Sequence, residues 1–97
     1  MKGFLPFNEW SRERILAGRK SLTSRHKKYL HDPLVQRILP FPWHHIRDIY
    51  YRQEGADSPE ELQRVIEEIQ HRPVPDDELF YTHFFDNKKM QERLRGG

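Results

Sequence analysis

The sequence contains no cysteine in its 97 residues. Disulfides and thiolate chemistry are therefore excluded, and an intracellular setting is the default expectation. No apolar run is long enough to span a bilayer, and residues 1–7 lack the long apolar stretch of a signal peptide. The few glycines form no phosphate-cradling loop. We therefore expect a soluble, cytoplasmic protein without a membrane partner.

The composition is that of one small folded domain. Apolar residues make up 35% of the chain and charged residues 33%, yet six Phe, four Tyr and two Trp favour a packed core over disorder. A chain of this length builds a single modest core. We predict one domain over residues 1–87 and a flexible basic tail over residues 88–97.

The charges are segregated along the chain, although the formal net charge is only +2. Within residues 12–28 there are seven basic residues and one acid, whereas residues 54–86 contain ten acids and two arginines. A basic cluster of this density is typical of a protein that binds a phosphate-bearing partner. The alternative is that the two halves simply face each other in the fold.

Three helices are indicated by capping residues and by apolar spacing. The first covers residues 9–17, between an Asn8 cap and Gly18. The second ends at Gly55, and the third begins at a capping box led by Ser58. Apolar side chains at helical spacing in the third helix are expected to be buried: Leu62, Val65, Ile66 and Ile69.

Strands are indicated towards both ends of the chain. Residues 2–7 form a short apolar run, and residues 79–85 are rich in aromatic and β-branched side chains. Residues 21–25 read as a strand or a tight turn, and residues 34–39 as a short strand. The sequence therefore predicts an α+β fold.

Two separated segments carry a family resemblance. Residues 15–25, ILAGRKSLTSR, are similar to the signature of the ASCH domain, where a helix ends in Gly and a Lys, a Thr and an Arg follow. Residues 51–62 resemble the family's glutamate-containing turn, and residues 80–85 stand where its closing strand belongs. The resemblance implies a small PUA-like β-barrel. Because only residues 26–42 separate the basic motif from the later helices, we expect an abbreviated barrel with about three helices.

The resemblance implies two kinds of function. ASCH domains are expected to bind RNA or a modified nucleotide in a cleft, here lined by the GRKSLTSR motif and Glu54. Some small members are amidohydrolases that deacetylate N4-acetylcytidine, and residue matching assigns that active site to Lys20, Thr23 and Glu54. Thr23 would attack, Lys20 would take its proton, and Glu54 would pass a proton to the leaving nitrogen or hydrogen-bond the base. Residue chemistry alone leaves open an ordinary Lys20–Glu54 ion pair and a Thr23 hydroxyl that bonds its own backbone.

Whether the protein is an enzyme or a binding module therefore stays open at the level of sequence. In a binding module, basic side chains would contact phosphates and a tyrosine would stack on a base: Arg19, Lys20, Arg25, Lys27, Lys28 and Tyr51. The six histidines match no zinc-ligand spacing, so we predict no metal and no cofactor. An open sheet edge in an abbreviated barrel favours a monomer or a weak homodimer.

Overall fold

An α+β architecture is found in the computed structural model, which describes residues 3–96. The predicted fold class is therefore confirmed. The elements, in chain order, are α1 (Glu9–Leu16), β1 (Leu22–Arg25), β2 (Val35–Pro42), α2 (Trp43–Ile49), α3 (Tyr51–Glu54), α4 (Pro59–Gln70), β3 (Leu79–Phe85) and α5 (Asn87–Gly96).

The sheet is antiparallel, with β3 lying between β1 and β2. Leu22 of β1 lies opposite Phe84 of β3, and an irregularity between Val35 and Arg37 shifts the register of β2. The described residues thus form a sheet of three strands. The PUA-like barrel implied by the resemblance is not confirmed.

The described part of the chain contains five helices, more than the sequence indicates. The single helix expected before Gly55 is divided at Tyr50, whose φ of −105° and ψ of 13° leave the helical region between α2 and α3. The fifth helix, α5, occupies the segment expected to be a tail.

The flexible tail predicted for residues 88–97 is instead a docked helix as far as residue 96, and Gly97 lies outside the described residues. Met90 is fully buried in a core cluster to which α1 and β3 also contribute. Arg93 forms two hydrogen bonds with Asp32, at 2.6 and 2.8 Å. Most side chains of this segment are charged or polar, and few are apolar like Met90. Composition alone therefore suggests a tail.

The strand predicted for residues 2–7 is absent from its described part, and Lys2 lies outside the described residues. Here the backbone N–H of Leu5 donates to Oδ2 of Asp32 at 2.9 Å instead of joining a ladder. The other three predicted strands form, and β2 extends beyond residues 34–39.

The helix ends follow local signals closely. Gly55 comes directly after α3, and Gly18 follows α1 after one intervening residue, Ala17; the two glycines have left-handed φ values of +103° and +79°. Ser58 Oγ accepts from the N–H of Glu61 at 3.1 Å, as the capping box predicts. The Glu61 carboxylate, however, accepts from the N–H of Asp57 at 2.8 Å, so the return bond is displaced by one residue.

A core cluster lies between the sheet and α2 to α4, and its buried members are Trp43, Ile46, Ala56, Leu62, Val74 and Phe80. Of the four apolar residues of α4 expected to be buried, Leu62 is buried, but Val65 and Ile66 are half-buried and Ile69 is 44% exposed. The apolar edge of α4 is therefore partly uncovered.

Candidate functional site

Two chain segments that are distant in sequence bring Lys20 and Glu54 together. Lys20 lies between α1 and β1, and Glu54 is the last residue of α3. The N–H of Ser21 donates to the carbonyl of Gln53 at 2.9 Å, which holds the segments side by side. From α5, Nδ2 of Asn87 donates to the carbonyl of Lys20 at 2.7 Å. The backbone around the lysine is thus held by α3 and α5.

Lys20 and Glu54 form a buried ion pair, with exposed fractions of 2% and 5%. Nζ donates to Oε1 at 2.8 Å and to the main-chain carbonyl of Glu54 at 2.9 Å. Burial lowers the pKa of Lys20, an effect that the Glu54 carboxylate opposes and the Arg25 charge reinforces. An amine with a lowered pKa is a better candidate for a base near neutral pH than an exposed lysine is.

Ser24 belongs to the same network, although it is not among the residues predicted from the sequence. Its Oγ donates to Oε2 of Glu54 at 2.7 Å and lies 3.1 Å from Oγ1 of Thr82. Because the single hydroxyl proton of Ser24 goes to the carboxylate, Thr82 is the donor in the second bond. No local signal marks Ser24, because its role depends on its contact with Glu54, 30 positions away in the sequence.

Thr23 is buried, at 1% exposed, but its hydroxyl oxygen has a different partner. Nη1 of Arg25 donates to Oγ1 of Thr23 at 2.5 Å and to the carbonyl of Ser24 at 3.0 Å. Nη2 of Arg25 donates to the carbonyl of Pro6 at 2.7 Å. The predicted phosphate ligand Arg25 is therefore already bonded to neutral oxygen atoms of the protein.

The site residues meet at a narrow cavity. Its polar wall contains Lys20, Thr23, Ser24, Arg25 and Glu54, and its apolar wall contains Trp10, Trp43, Leu62, Val65, Ile66 and Ile69. The cavity offers about 30 Å³ to the centres of water molecules, which is room for about two ordered waters. A nucleobase is larger, so its entry requires side chains of α4 at the rim to move.

A wider groove adjoins this cavity and offers about 340 Å³ to the centres of water molecules. The two spaces share Ser11, Ser24, Arg25, Ile66 and Ile69. Lys20, Thr23 and Glu54 line the inner cavity and not the groove. Ser24 therefore lies at the junction between a space large enough for a ligand and the buried ion pair.

Two of the predicted nucleic-acid contacts lie near the Glu54 turn. Arg19 is exposed and forms an ion pair with Asp57. Tyr51 is half-buried, packs against the core cluster and has the guanidinium of Arg52 5.4 Å from its ring centre. Neither side chain lines the cavity.

The other two predicted contacts, Lys27 and Lys28, lie on the loop after β1 and are exposed. The ammonium of Lys27 lies 4.7 Å from the ring centre of Tyr29, and that of Lys28 lies 5.0 Å from the ring centre of Tyr81. Both are outside the cavity.

Among the histidines, His83 is fully buried, and both of its ring nitrogens bond to the backbone. The N–H of Tyr29 donates to Nε2 at 3.0 Å, and Nδ1 donates to the carbonyl of Tyr81 at 2.9 Å. Within residues 3–96, no group of three or more His, Cys, Asp or Glu side chains is arranged to hold a metal ion. None of the described helices is long and apolar enough to cross a bilayer.

The site thus combines a buried amine, a carboxylate and two hydroxyls at one end of an apolar cavity, which is the donor set of a hydrolytic or small-ligand site. The chain matches no protein-family model, no curated protein and no solved structure. The ASCH resemblance therefore rests on the motif residues alone.

Proposed function

We propose that this protein is a small amidohydrolase that removes the acyl group from the exocyclic nitrogen of an N4-acetylcytidine-type nucleoside. The observation that carries the proposal is the Lys20–Glu54 pair, buried in a cavity that is otherwise lined largely by apolar side chains. Titratable groups with shifted pKa values in a cavity are candidates for catalysis. The resemblance to ASCH amidohydrolases assigns roles to Lys20, Glu54 and the neighbouring Thr23.

A neutral acylated nucleoside suits this site better than a phosphate chain does. Lys20 is 2% exposed and Arg25 donates to three neutral oxygen atoms, so neither resembles an exposed phosphate contact. Ile66 and Ile69 of α4 line both the cavity and the wider groove, and such aliphatic side chains suit the flat face of a pyrimidine in the groove. Burial also lowers the local dielectric constant around these polar groups, which strengthens electrostatic interactions there.

The reaction requires a nucleophile, a base and a proton donor for the leaving amine. A hydroxyl oxygen attacks the amide carbonyl carbon, the C–N bond breaks, and the amine leaves with a proton. By resemblance, Thr23 attacks and Lys20, in its neutral amine form, takes its proton; the lowered pKa of Lys20 favours that form. Glu54, which is hydrogen-bonded to Lys20, then relays that proton to the exocyclic nitrogen. Water hydrolyses the resulting ester, which releases acetate and restores the hydroxyl.

Turnover of N4-acetylcytidine by the purified protein, followed by chromatography, tests this proposal. Lys20→Met and Glu54→Gln preserve side-chain size, and each is expected to lower kcat/KM by about 10²–10⁴-fold. Lys89→Ala, which removes an exposed charge on α5, is the matched control and should keep the wild-type rate. A folded wild-type protein that releases no cytidine, or site variants as active as the control, would contradict the proposal.

A second candidate function is RNA binding, and Lys27 and Lys28 favour it. Each ammonium lies over a tyrosine ring, and neither makes a salt bridge within residues 3–96. Exposed cations beside aromatic rings suit the phosphates and bases of a single strand.

Binding of a single-stranded RNA oligonucleotide over a series of salt concentrations tests this second function. Loss of two phosphate contacts in the Lys27→Ala/Lys28→Ala variant should reduce the slope of log affinity against log salt by about 1.4. The Lys88→Ala/Lys89→Ala variant removes an equally exposed lysine pair from α5 and should leave the slope unchanged. Equal losses in both variants would indicate non-specific attraction instead.

A further inference from the structure

We propose that Ser24, rather than Thr23, is the nucleophile of this site; the inference rests on the proposed acyl-transfer chemistry and names the atom that takes up the acyl group. The two hydroxyls are consecutive in β1 and both are buried. They differ in the base available to them, in the bonds they already make and in the space they border.

Ser24 has a base within hydrogen-bond reach. Its Oγ lies 2.7 Å from Oε2 of Glu54, and the other carboxylate oxygen is held by Nζ of Lys20 at 2.8 Å. A nucleophile bonded to a base that a third group orients is the usual arrangement for activating a hydroxyl. Thr82 completes it, because its hydroxyl donates to Ser24 Oγ and fixes the direction of the Ser24 proton.

Thr23 lacks such an arrangement. Among residues 3–96, neither Lys20 nor Glu54 hydrogen-bonds to its hydroxyl. Its oxygen accepts instead from the Arg25 guanidinium, and a cationic donor withdraws electron density from the lone pairs that would attack. The same guanidinium also donates to the carbonyls of Ser24 and Pro6, so the donor that holds the Thr23 hydroxyl is itself fixed in place.

Ser24 also lies where a ligand can approach. It borders both the inner cavity and the wider groove, whereas Thr23 borders the inner cavity and not the groove. The inner cavity has room for about two waters, which suits a small acyl group better than a nucleobase. A substrate lying in the groove would therefore bring its acyl carbon to Ser24 first.

Ser24 and Glu54 together supply the nucleophile and the proton transfers that acyl transfer requires. Ser24 Oγ forms a bond to the acyl carbon while its proton passes to Glu54 Oε2. The bond from that carbon to the leaving atom breaks, and the protonated Glu54 returns the proton to the leaving group. Water then attacks the ester carbon as Glu54 takes a proton from it, and Ser24 regains a proton as the acid leaves. Lys20 acts as a positioning residue that holds Glu54.

The test uses p-nitrophenyl acetate, an activated ester that does not depend on nucleoside recognition. Wild type, Ser24→Ala and Thr23→Val are mixed with the ester, quenched in acid and digested with trypsin. Cleavage after Lys20 and Arg25 yields the peptide of residues 21–25, SLTSR, which contains both candidate hydroxyls. Fragmentation in the mass spectrometer then locates the acetyl group.

We expect the acetyl group on Ser24, with a nitrophenolate burst of about one equivalent that Thr23→Val retains and Ser24→Ala loses. Since Ser24→Ala also removes a partner of Glu54, Ser24→Cys is included: a nucleophile at this position gives a longer-lived acetyl thioester on residue 24. An acetyl group on Thr23, or a burst that persists in Ser24→Ala, would overturn the inference, as would a Ser24→Cys protein that stays unlabelled at position 24.

N4-acetylcytidine turnover, recorded in parallel, separates this inference from the proposed function. An acetylated Ser24 without cytidine release supports the nucleophile assignment and contradicts the proposed substrate. Cytidine release that survives in Ser24→Ala and disappears in Thr23→Val supports the proposed function and overturns the nucleophile assignment.

Discussion

At the scale of single residues, the buried polar groups are matched to one another. Within residues 3–96, every buried side-chain nitrogen or oxygen atom has a hydrogen-bond partner. One hydrogen-bond network at the cavity contains Lys20, Glu54 and Thr82. Asp32 and His83 instead accept hydrogen bonds from backbone N–H groups. A buried polar group that loses its partner is costly, so each of these groups constrains the protonation state of its neighbours.

His83 provides a prediction about pH and stability. Burial is the main cause that lowers the pKa of His83, and the N–H of Tyr29 already points at Nε2, where a second proton would have to go. In the unfolded chain the histidine has a pKa of about 6.5, so the unfolded state takes up this proton first. The stabilisation that neutral His83 contributes to the folded state is therefore fully present above about pH 6.5, and it is lost as the pH falls below that value.

Urea unfolding at about pH 7.5 and about pH 5.5 measures this effect, which is expected to be up to about 1.4 kcal/mol per pH unit. His83→Gln keeps a donor and an acceptor but cannot titrate, so its free energy of unfolding should depend less on pH. It should also be less stable than wild type, because a glutamine side chain does not fill the space of the buried ring. If the variant and the wild type lose the same free energy between the two pH values, His83 is not the group responsible.

At the scale of elements, two glycines offer a matched comparison. Both Gly18 and Gly55 have left-handed φ values, which favour glycine. A Cβ added at Gly55 would lie 2.8 Å from Cγ of Arg14, whereas the nearest atom to a Cβ at Gly18 is Nε2 of Gln91 at 3.9 Å. The close approach of α1 to the end of α3 therefore requires the absence of a side chain at Gly55.

Gly18→Ala is expected to cost about 1–2 kcal/mol of unfolding free energy from backbone strain alone. Gly55→Ala adds a steric clash with Arg14 and is expected to cost about 3 kcal/mol or more. It should also lower activity, because the residue before it is Glu54. Urea denaturation and N4-acetylcytidine turnover measure both effects, and equal costs at the two positions would show that the Arg14 contact is not restrictive.

Helix ends and strand positions can be predicted from the sequence, whereas contacts between distant segments cannot. Caps, terminators and aromatic strand segments act locally, and the ends of α1 and α4 and the position of β3 follow from Gly18, Ser58 and residues 79–85. Contacts between distant segments do not follow from local signals. The docking of α5 depends on Met90 and on the Arg93 pair, and the role of Ser24 depends on its contact with Glu54, 30 positions away.

At the scale of the whole molecule, the basic and acidic halves of the chain do meet. Two ion pairs, Arg19–Asp57 and Lys20–Glu54, and a hydrogen bond between His26 and Glu78 join residues 12–28 to residues 54–86. The alternative of two halves facing each other therefore accounts for part of the charge segregation. Lys27 and Lys28 form no ion pair with this acidic half within residues 3–96. RNA binding is therefore a candidate function for the loop after β1, which carries these two lysines, and not for the cavity.

The buried pair leads to a prediction about the stability of the whole domain. Lys20→Met leaves a carboxylate buried with its ammonium removed, and Glu54→Gln leaves an ammonium without a countercharge, so each should cost about 3 kcal/mol of unfolding free energy. The double variant contains neither charge, and the side-chain oxygen of the glutamine at position 54 can still accept the hydrogen bond from Ser24. Its cost should therefore be well below the sum of the single costs, within about 1 kcal/mol of wild type.

Urea unfolding of the four proteins in a double-mutant cycle measures this coupling, and acyl transfer measured on the same samples completes the comparison. We expect the double variant to regain stability without regaining activity, because the base and its positioning partner are both lost. A double variant whose cost equals the sum of the single costs would mean that Lys20 and Glu54 are not coupled in solution. In that case the buried ion pair would not be the basis of the site, and the amidohydrolase proposal would lose its main support.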